Sequence, residues 1–352
     1  MDDDGSLLRG EVPDGLEKAD LLTMFETMLM VRTIDERMVT LQRQGRISFY
    51  GAATGQEAAV IGSGYALSPD DWVLPALREG GVALLRGFSL EDYVNQVFGN
   101  GEDIQRGRQM PCHYGDKRIG YVTLSSCIAN QLPHAVGVAL AMRARGEQHI
   151  AVGYMGDGAT SEGDFHTSLE FASRLNAPVL FFCQNNQWAI STGIEGQTIA
   201  KSLACKAHGY GMDGYRVDGN DVLAVQEVTR LAATAARETG RPVFVEALTY
   251  RVGAHSTSDD PSRYRDESVT ETWRTRDPIV RFGNLLKKLG YLSDESIEAQ
   301  RLEFDARIRA QIIRAEKAPA PTIDDLFTDV YAEMPALLVE QRDALERHLS
   351  EN

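Results

Sequence analysis

Residues 149–192 read "HIAVGYMGDGATSEGDFHTSLEFASRLNAPVLFFCQNNQWAIST". An apolar run at 149–155 ends in the turn Gly156-Asp157-Gly158; a helical pattern follows with Phe165, Leu169 and Ala172 on one face; a second apolar run at 178–184 ends in Asn185-Asn186. Two continuous rather than alternating apolar runs, joined by a helix, predict parallel strands buried on both faces.

The same alternation continues outward. "YRVDG" at 215–219 and "PVFVEALTY" at 242–250 read as further strands separated by helical stretches. The fold class expected is therefore α/β, a doubly wound parallel sheet. Upstream, residues 18–45 carry Leu21, Leu22, Phe25, Met28, Leu29, Ile34, Met38 and Leu41 at helical spacing, with Gly45 as the stop. Residues 46–81, rich in glycine and small side chains, read as a short helix between loops, and 128–145 as a helix whose Gly137/Ala141 and Ala135/Ala139 pairs make a smooth packing face. Beyond 275 the chain turns helical and charged, with Pro319-Ala320-Pro321 as a hinge. The expected organisation is an N-terminal arm and long helix over 1–45, an α/β domain over 46–275 and a helical extension over 276–352.

Composition narrows the partners. With 51 acidic against 36 basic residues and a net charge of −15, the surface is not built to neutralise a phosphate backbone, and no nucleic-acid partner is expected. No apolar run approaches the roughly 20 residues of a membrane helix. The acidic start Met1-Asp2-Asp3-Asp4 lacks a basic, then apolar, export signal, so a cytoplasmic location is expected. Cys112, Cys127, Cys183 and Cys205 show no metal-ligand spacing and read as reduced thiols.

In an open α/β sheet, ligands gather at the carboxyl ends of the strands. Asp157 leaves one strand tip and Asn186 the next, so a carboxylate and a carboxamide converge although 29 positions separate them. Oxygen donors of this kind suit Mg²⁺, which completes its shell with water and phosphate oxygens, and the helix start after Gly158 offers N–H groups to an anion. Alone, Gly-Asp-Gly is an ordinary turn. The whole unit, with 26 residues between Gly158 and Asn185, resembles the cofactor motif of the thiamine diphosphate enzymes.

Within them the chain resembles the alpha subunits of the decarboxylating component of 2-oxo acid dehydrogenase complexes, from about residue 20 onward. "RQGRISFY" (43–50), "GRQMPCHYG" (107–115), "FFCQNNQWAIST" (181–192), "RVDGND" (216–221), "EALTYRVGAHSTSDD" (246–260) and "MPALLVEQRDALERHL" (334–349) look like branched-chain versions. The resemblance implies the thiamine diphosphate-binding fold, with thiamine diphosphate and Mg²⁺ as cofactors. It makes Asp157, Asn186 and the Trp188 carbonyl the metal ligands, and Gly156, Gly158 and Ala159 the diphosphate turn. Arg78 reaches the phosphates, while Ser126, Ile128 and Ile190 flank the cofactor. Leu77 departs from the tyrosine that the family usually has there, so one cofactor or substrate hydrogen bond of the family is not carried over to this chain. In the loop 250–265, His255 matches the active-site histidine, Arg251, Asp259, Tyr264 and Arg265 the network that orders the loop, and Ser256 the serine phosphorylated in animal enzymes. The second phosphosite falls on Asp266, so no dedicated kinase is expected. His113 is a further candidate for moving protons.

The implied reaction is oxidative decarboxylation of branched-chain 2-oxo acids, with the acyl group passing to the lipoyl arm of an acyltransferase component; pyruvate or acetoin is the alternative substrate, and a non-catalytic scaffold the distant one. Only one diphosphate module is visible, so a beta subunit must supply the second half of the site in an α₂β₂ assembly. The Gly137/Ala141 face and the C-terminal helices are expected to lie against neighbouring subunits.

Overall fold

The computed structural model describes residues 1–351. In chain order the elements are α1 (Lys18–Arg43), α2 (Glu57–Tyr65), β1 (Trp72–Leu74), α3 (Gly80–Leu85), α4 (Leu90–Phe98), α5 (Gln131–Ala144), β2 (Ala151–Gly156), α6 (Gly163–Leu175), β3 (Val179–Asn185), the short hairpin β4 (Trp188–Ala189) and β5 (Thr192–Gly193), α7 (Ile194–Gln197), α8 (Cys205–His208), β6 (Asp213–Asp218), α9 (Val222–Thr239), β7 (Val243–Leu248), α10 (Glu267–Arg274), α11 (Pro278–Lys288), α12 (Asp294–Ala315), α13 (Ile323–Phe327) and α14 (Ala336–Glu351). Five strands form one parallel sheet in the order β1-β2-β3-β7-β6.

The continuous apolar runs predicted this sheet, and β3 shows why. The pleat sends Leu180 and Phe182 to one face, where α1, α2 and α9 form the core, and Val179, Phe181 and Cys183 to the other, against α5 and α6. All five are fully buried. Burial of each large apolar side chain contributes about 1.5–3 kcal/mol, so the strand is held by its body and its tip is free to carry polar groups.

The ends of the helices follow from local chemistry. Asp221 caps α9 by accepting from the backbone N–H groups of Leu223 and Ala224, both at 3.1 Å, and Gly240 closes it in the left-handed region at φ 67°. Asp277 caps α11 with Pro278 at its first position.

Four expectations change. The segment 46–81 holds β1 and the start of α3 besides its helix; three residues are too few to show a period, and only pairing of Trp72 with Ala151 makes them a strand. The helix expected from 128 begins at Gln131, because Ala129 adopts φ 69° and the preceding residues form a turn. The helix expected over 159–175 begins at Gly163, since 157–161 form a tighter 3₁₀ turn. The proline segment 319–321 is not loose: the Pro319 carbonyl accepts from the Gly101 N–H at 2.7 Å.

The α1 stripe lies in the core except for Leu22, which is only partly buried. α12 buries Phe304, Ile308 and Ile312 in the same core, whereas α14 buries nothing. All four cysteines are free thiols.

Candidate active site

The carboxyl ends of four strands meet at one edge of the sheet. The register pairs Gly156 with Gln184, which places Asp157 and Asn186 just beyond adjacent strand ends; Asn185, the last residue of β3, pairs with Leu248, so Thr249 to Arg251 follow alongside. The loop after β1 adds Arg78.

Asp157 is 1% exposed. Its Oδ2 accepts from Gln197 Nε2 at 2.6 Å, while its Oδ1 is buried without a partner. Burial raises the carboxyl above its ordinary range, and Gln197 and the backbone at Asp157 and Asn186 offset part of that. A buried carboxylate oxygen with no donor is costly unless a cation or donor arrives from outside. Asn186 is fixed on both sides: Nδ2 donates to Gln56 Oε1 at 3.0 Å and Oδ1 accepts from the Trp188 N–H at 3.2 Å. Neighbouring Asn185 faces inward and donates to Glu246 Oε1 at 2.7 Å, so of the two asparagines it holds the strand tip.

The turn after β2 is shaped for close approach. A side chain at Gly158 would come within 2.8 Å of Ala189 Cβ, so the β4–β5 hairpin presses directly on this backbone, while nothing lies within 4 Å of the corresponding point at Gly156. Ala159 is buried behind the turn. Lys206, in α8, donates to Thr160 O and Oγ1 at 3.2 and 2.9 Å.

Arginines supply most of the positive charge. Arg78 is buried and spans two segments, donating to the carbonyls of Ala52 and His255. Burial and Arg251 hold it down to about 10, still charged at neutral pH. Beneath it a cavity of about 10 Å³, close to the room one water needs, is lined by Asp35, Leu77, Tyr93, Cys112 and Tyr114, and the Tyr114 hydroxyl lacks a partner. Leu77 offers that space only methyl groups.

Arg251, 1% exposed, donates to Trp188 O at 3.3 Å, Ile190 O at 2.7 Å and the Tyr264 hydroxyl at 2.8 Å. The Tyr264 hydroxyl donates to Asp259 Oδ2, which also accepts from the His255 N–H at 2.7 Å. Arg265 ties the loop from beneath through the carbonyls of Arg251 and Val252 at 2.6 and 2.8 Å. The loop that reads as exposed and polar is thus built on two buried guanidinium groups. His255 itself is half-buried, and burial together with Arg78 and Arg251 pushes its imidazole down to about 4, so it is neutral at pH 7.

His113, 4% exposed, sits between the Pro111 carbonyl and the Ser126 hydroxyl. A carbonyl only accepts, so Nδ1 carries a proton toward Pro111, and Nε2 pairs with the Ser126 hydroxyl. Ile128 and Ile190 are 55% and 46% exposed. An isoleucine in a small-residue run reads as core, but both side chains are open to solvent, and Ile190 adopts φ 53°. Ser256 accepts from the Ser258 N–H within the same loop, and Asp266 serves as the N-cap of α10.

The sequence reading missed Gln197, Lys206 and Gln56. None belongs to a periodic element, since α7 and α8 have four residues each and Gln56 precedes α2. Among the described residues no group of three or more His, Cys, Asp or Glu could hold a metal ion. Among them, too, no helix is long and apolar enough to cross a membrane.

The sequence matches the family model described as dehydrogenase E1 component over residues 25–324. It is 42% identical over 351 residues to the mitochondrial 2-oxoisovalerate dehydrogenase subunit alpha of Dictyostelium discoideum, covering 99% of this chain and 80% of that one. The Caenorhabditis elegans subunit is 44% identical over 332 residues, covering 94% and 77%, and the Homo sapiens subunit 41% over 350 residues, covering 99% and 79%.

Proposed function

This chain belongs to the dehydrogenase E1 component family, and we propose that it is the alpha subunit of a 2-oxoisovalerate dehydrogenase, acting in oxidative decarboxylation of branched-chain 2-oxo acids. Relatives of that name at 41–44% identity over nearly the whole chain support the reading. The observation that carries the site is the buried Asp157 with its unpartnered Oδ1 at the carboxyl edge of the sheet.

The residues fit a Mg²⁺-bound thiamine diphosphate. Asp157 Oδ1, the Asn186 carboxamide and the Trp188 carbonyl are hard oxygen donors of the kind Mg²⁺ prefers. Arg78, and Lys206 which donates to Thr160 just past the Gly156–Ala159 turn, would be the basic groups offered to a diphosphate, and a guanidinium meets phosphate oxygens bidentately. Bound there, the cofactor supplies the nucleophilic carbon and the electron sink for loss of CO₂.

The chain's own residues do the rest. Ile128 and Ile190, both exposed, would flank the bound cofactor together with Ser126. Arg251, Asp259 and Tyr264 hold the His255 loop over the cofactor site. Neutral His255 can take or give a proton near substrate, and the Ser126–His113 pair is a second route for one. Ser256 lies beside His255, so a phosphate there would add about −1.5 to −2 charges and disorder the loop.

A beta subunit completes the site in an α₂β₂ assembly, and the acyl group goes to the lipoyl group of an acyltransferase component. The exposed Gly137/Ala141 face of α5 and the unburied α14 are the surfaces offered to neighbours. The relatives are mitochondrial by name; a cytoplasmic location for this chain is checked by cell fractionation. In the direct test, the purified chain with Mg²⁺, cofactor and 3-methyl-2-oxobutanoate reduces an artificial electron acceptor only once the beta subunit is added. Turnover by the chain alone would overturn the two-chain reading, and faster turnover of pyruvate or acetoin would move the substrate assignment.

A further inference from the structure

We propose that Gln197 is a positioning residue that restricts Asp157 to coordination through one oxygen and thereby sets the preference of the site for Mg²⁺ over Ca²⁺. The inference rests on the reading of Asp157 as a metal ligand.

The two oxygens of Asp157 are not equivalent. Oδ2 is occupied by Gln197 Nε2 at 2.6 Å, whereas Oδ1 has no partner. Gln197 is itself held, because Nε2 also donates to Thr192 O at 3.2 Å, in the strand that pairs with Trp188-Ala189. The hairpin is braced in turn against the Asp157 turn, since Ala189 Cβ occupies the space that a side chain at Gly158 would need. One carboxylate oxygen is thus tied to a braced hairpin and the other is left for the cation.

That asymmetry discriminates between cations. Mg²⁺ takes six oxygens in near-ideal octahedral geometry at about 2.0–2.1 Å, one from each ligand, while Ca²⁺ takes six to eight and readily uses a carboxylate in bidentate fashion. Swinging Asp157 to offer both oxygens would cost the Gln197 hydrogen bond. Gln197 Oε1 is buried without a partner, so it can accept from a water in the Mg²⁺ shell, which a bidentate cation would displace. Groups that orient ligands in this way typically govern about 10–100-fold in metal affinity.

The test uses the complex reconstituted with its beta subunit. Calorimetry measures thiamine diphosphate affinity with Mg²⁺ or Ca²⁺ as the sole divalent cation, in wild type, Gln197→Leu and Gln197→Met, with thermal unfolding as the check on folding. The expected result is an Mg²⁺-to-Ca²⁺ affinity ratio that falls about tenfold or more in both variants, through weaker binding with Mg²⁺ and little change with Ca²⁺. An unchanged ratio, or equal losses with both cations, would overturn the role of Gln197. A wild type whose cofactor affinity needs no divalent cation would instead overturn the metal reading of Asp157 on which it stands.

Discussion

Two buried aspartates stand at opposite ends of the same sheet, and they differ in what completes them. Asp71, fully buried at the amino end of β1, is satisfied by the protein: its oxygens accept from the Ser68 N–H at 2.8 Å, the Ile150 N–H at 3.1 Å and Arg237 Nη2 at 3.0 and 2.8 Å. Asp157, at the carboxyl end of β2, has one side-chain donor and one bare oxygen. Burial alone therefore does not mark function. A buried carboxylate whose partners are all internal is part of the fold, and one whose partner must come from outside is part of a site.

The comparison breaks first at Asp157. Asp157→Ala is expected to weaken Mg²⁺-dependent thiamine diphosphate binding at least 100-fold by calorimetry, more than loss of an outer-shell partner costs. The unfolding midpoint of the ligand-free chain should not fall, because Gln197 Nε2 keeps the Thr192 carbonyl. Unchanged affinity, or a collapsed fold, would erase the distinction.

Asp71→Ala should do the reverse. It strands the Ser68 and Ile150 amides and the Arg237 guanidinium, which is 29% exposed and so loses less than a fully buried charge. We expect a loss of about 2–4 kcal/mol in denaturant unfolding, with cofactor affinity unchanged in whatever remains folded.

Arg78→Lys keeps the charge but cannot span the Ala52 and His255 carbonyls while meeting a phosphate bidentately. A roughly tenfold rise in the cofactor dissociation constant is expected, about 1.4 kcal/mol. Equal affinity would mean that Arg78 serves the loop alone.

The smallest effect concerns pH. The folded-state value of His255 is pushed down to about 4 from the ordinary 6.5, so the unfolded loop binds the extra proton more readily. Its contribution to stability is complete above about pH 6.5 and is lost as pH falls toward 4. Limited proteolysis of the 250–265 loop should accelerate over that window in wild type, and less steeply in His255→Gln. Identical profiles would assign the pH sensitivity to other groups.

Much of this was legible in the chain. The runs at 149–155 and 178–184 are too short for ordinary helices and are bounded by turn residues, which suits strands buried on both faces, and their lengths put Asp157 and Asn186 at strand tips. Hydrophobic period made α1 visible in the same way. Three-residue β1 and four-residue α7 and α8 are below the length at which a period exists, which is why Lys206 and Gln197 went unnoticed. Ile128 was reached only through the resemblance, because an apolar residue says that it avoids water, and not whether its own chain or something else covers it.

By itself, then, the sequence determined the order of the longer strands and helices, the apolar faces that stack them, and which residue types sit at the turns. Those properties are local or periodic, and a linear string encodes them directly. The tertiary structure decided which oxygen of Asp157 is left over, that Gln197 rather than solvent takes the other, that Asp71 is completed by Arg237 from 166 positions away, and that burial, with Arg78 and Arg251, lowers the proton affinity of His255. Such outcomes depend on donors brought together from remote positions, and satisfaction of a buried polar atom is a property of the assembled neighbourhood, written in no single stretch of the chain.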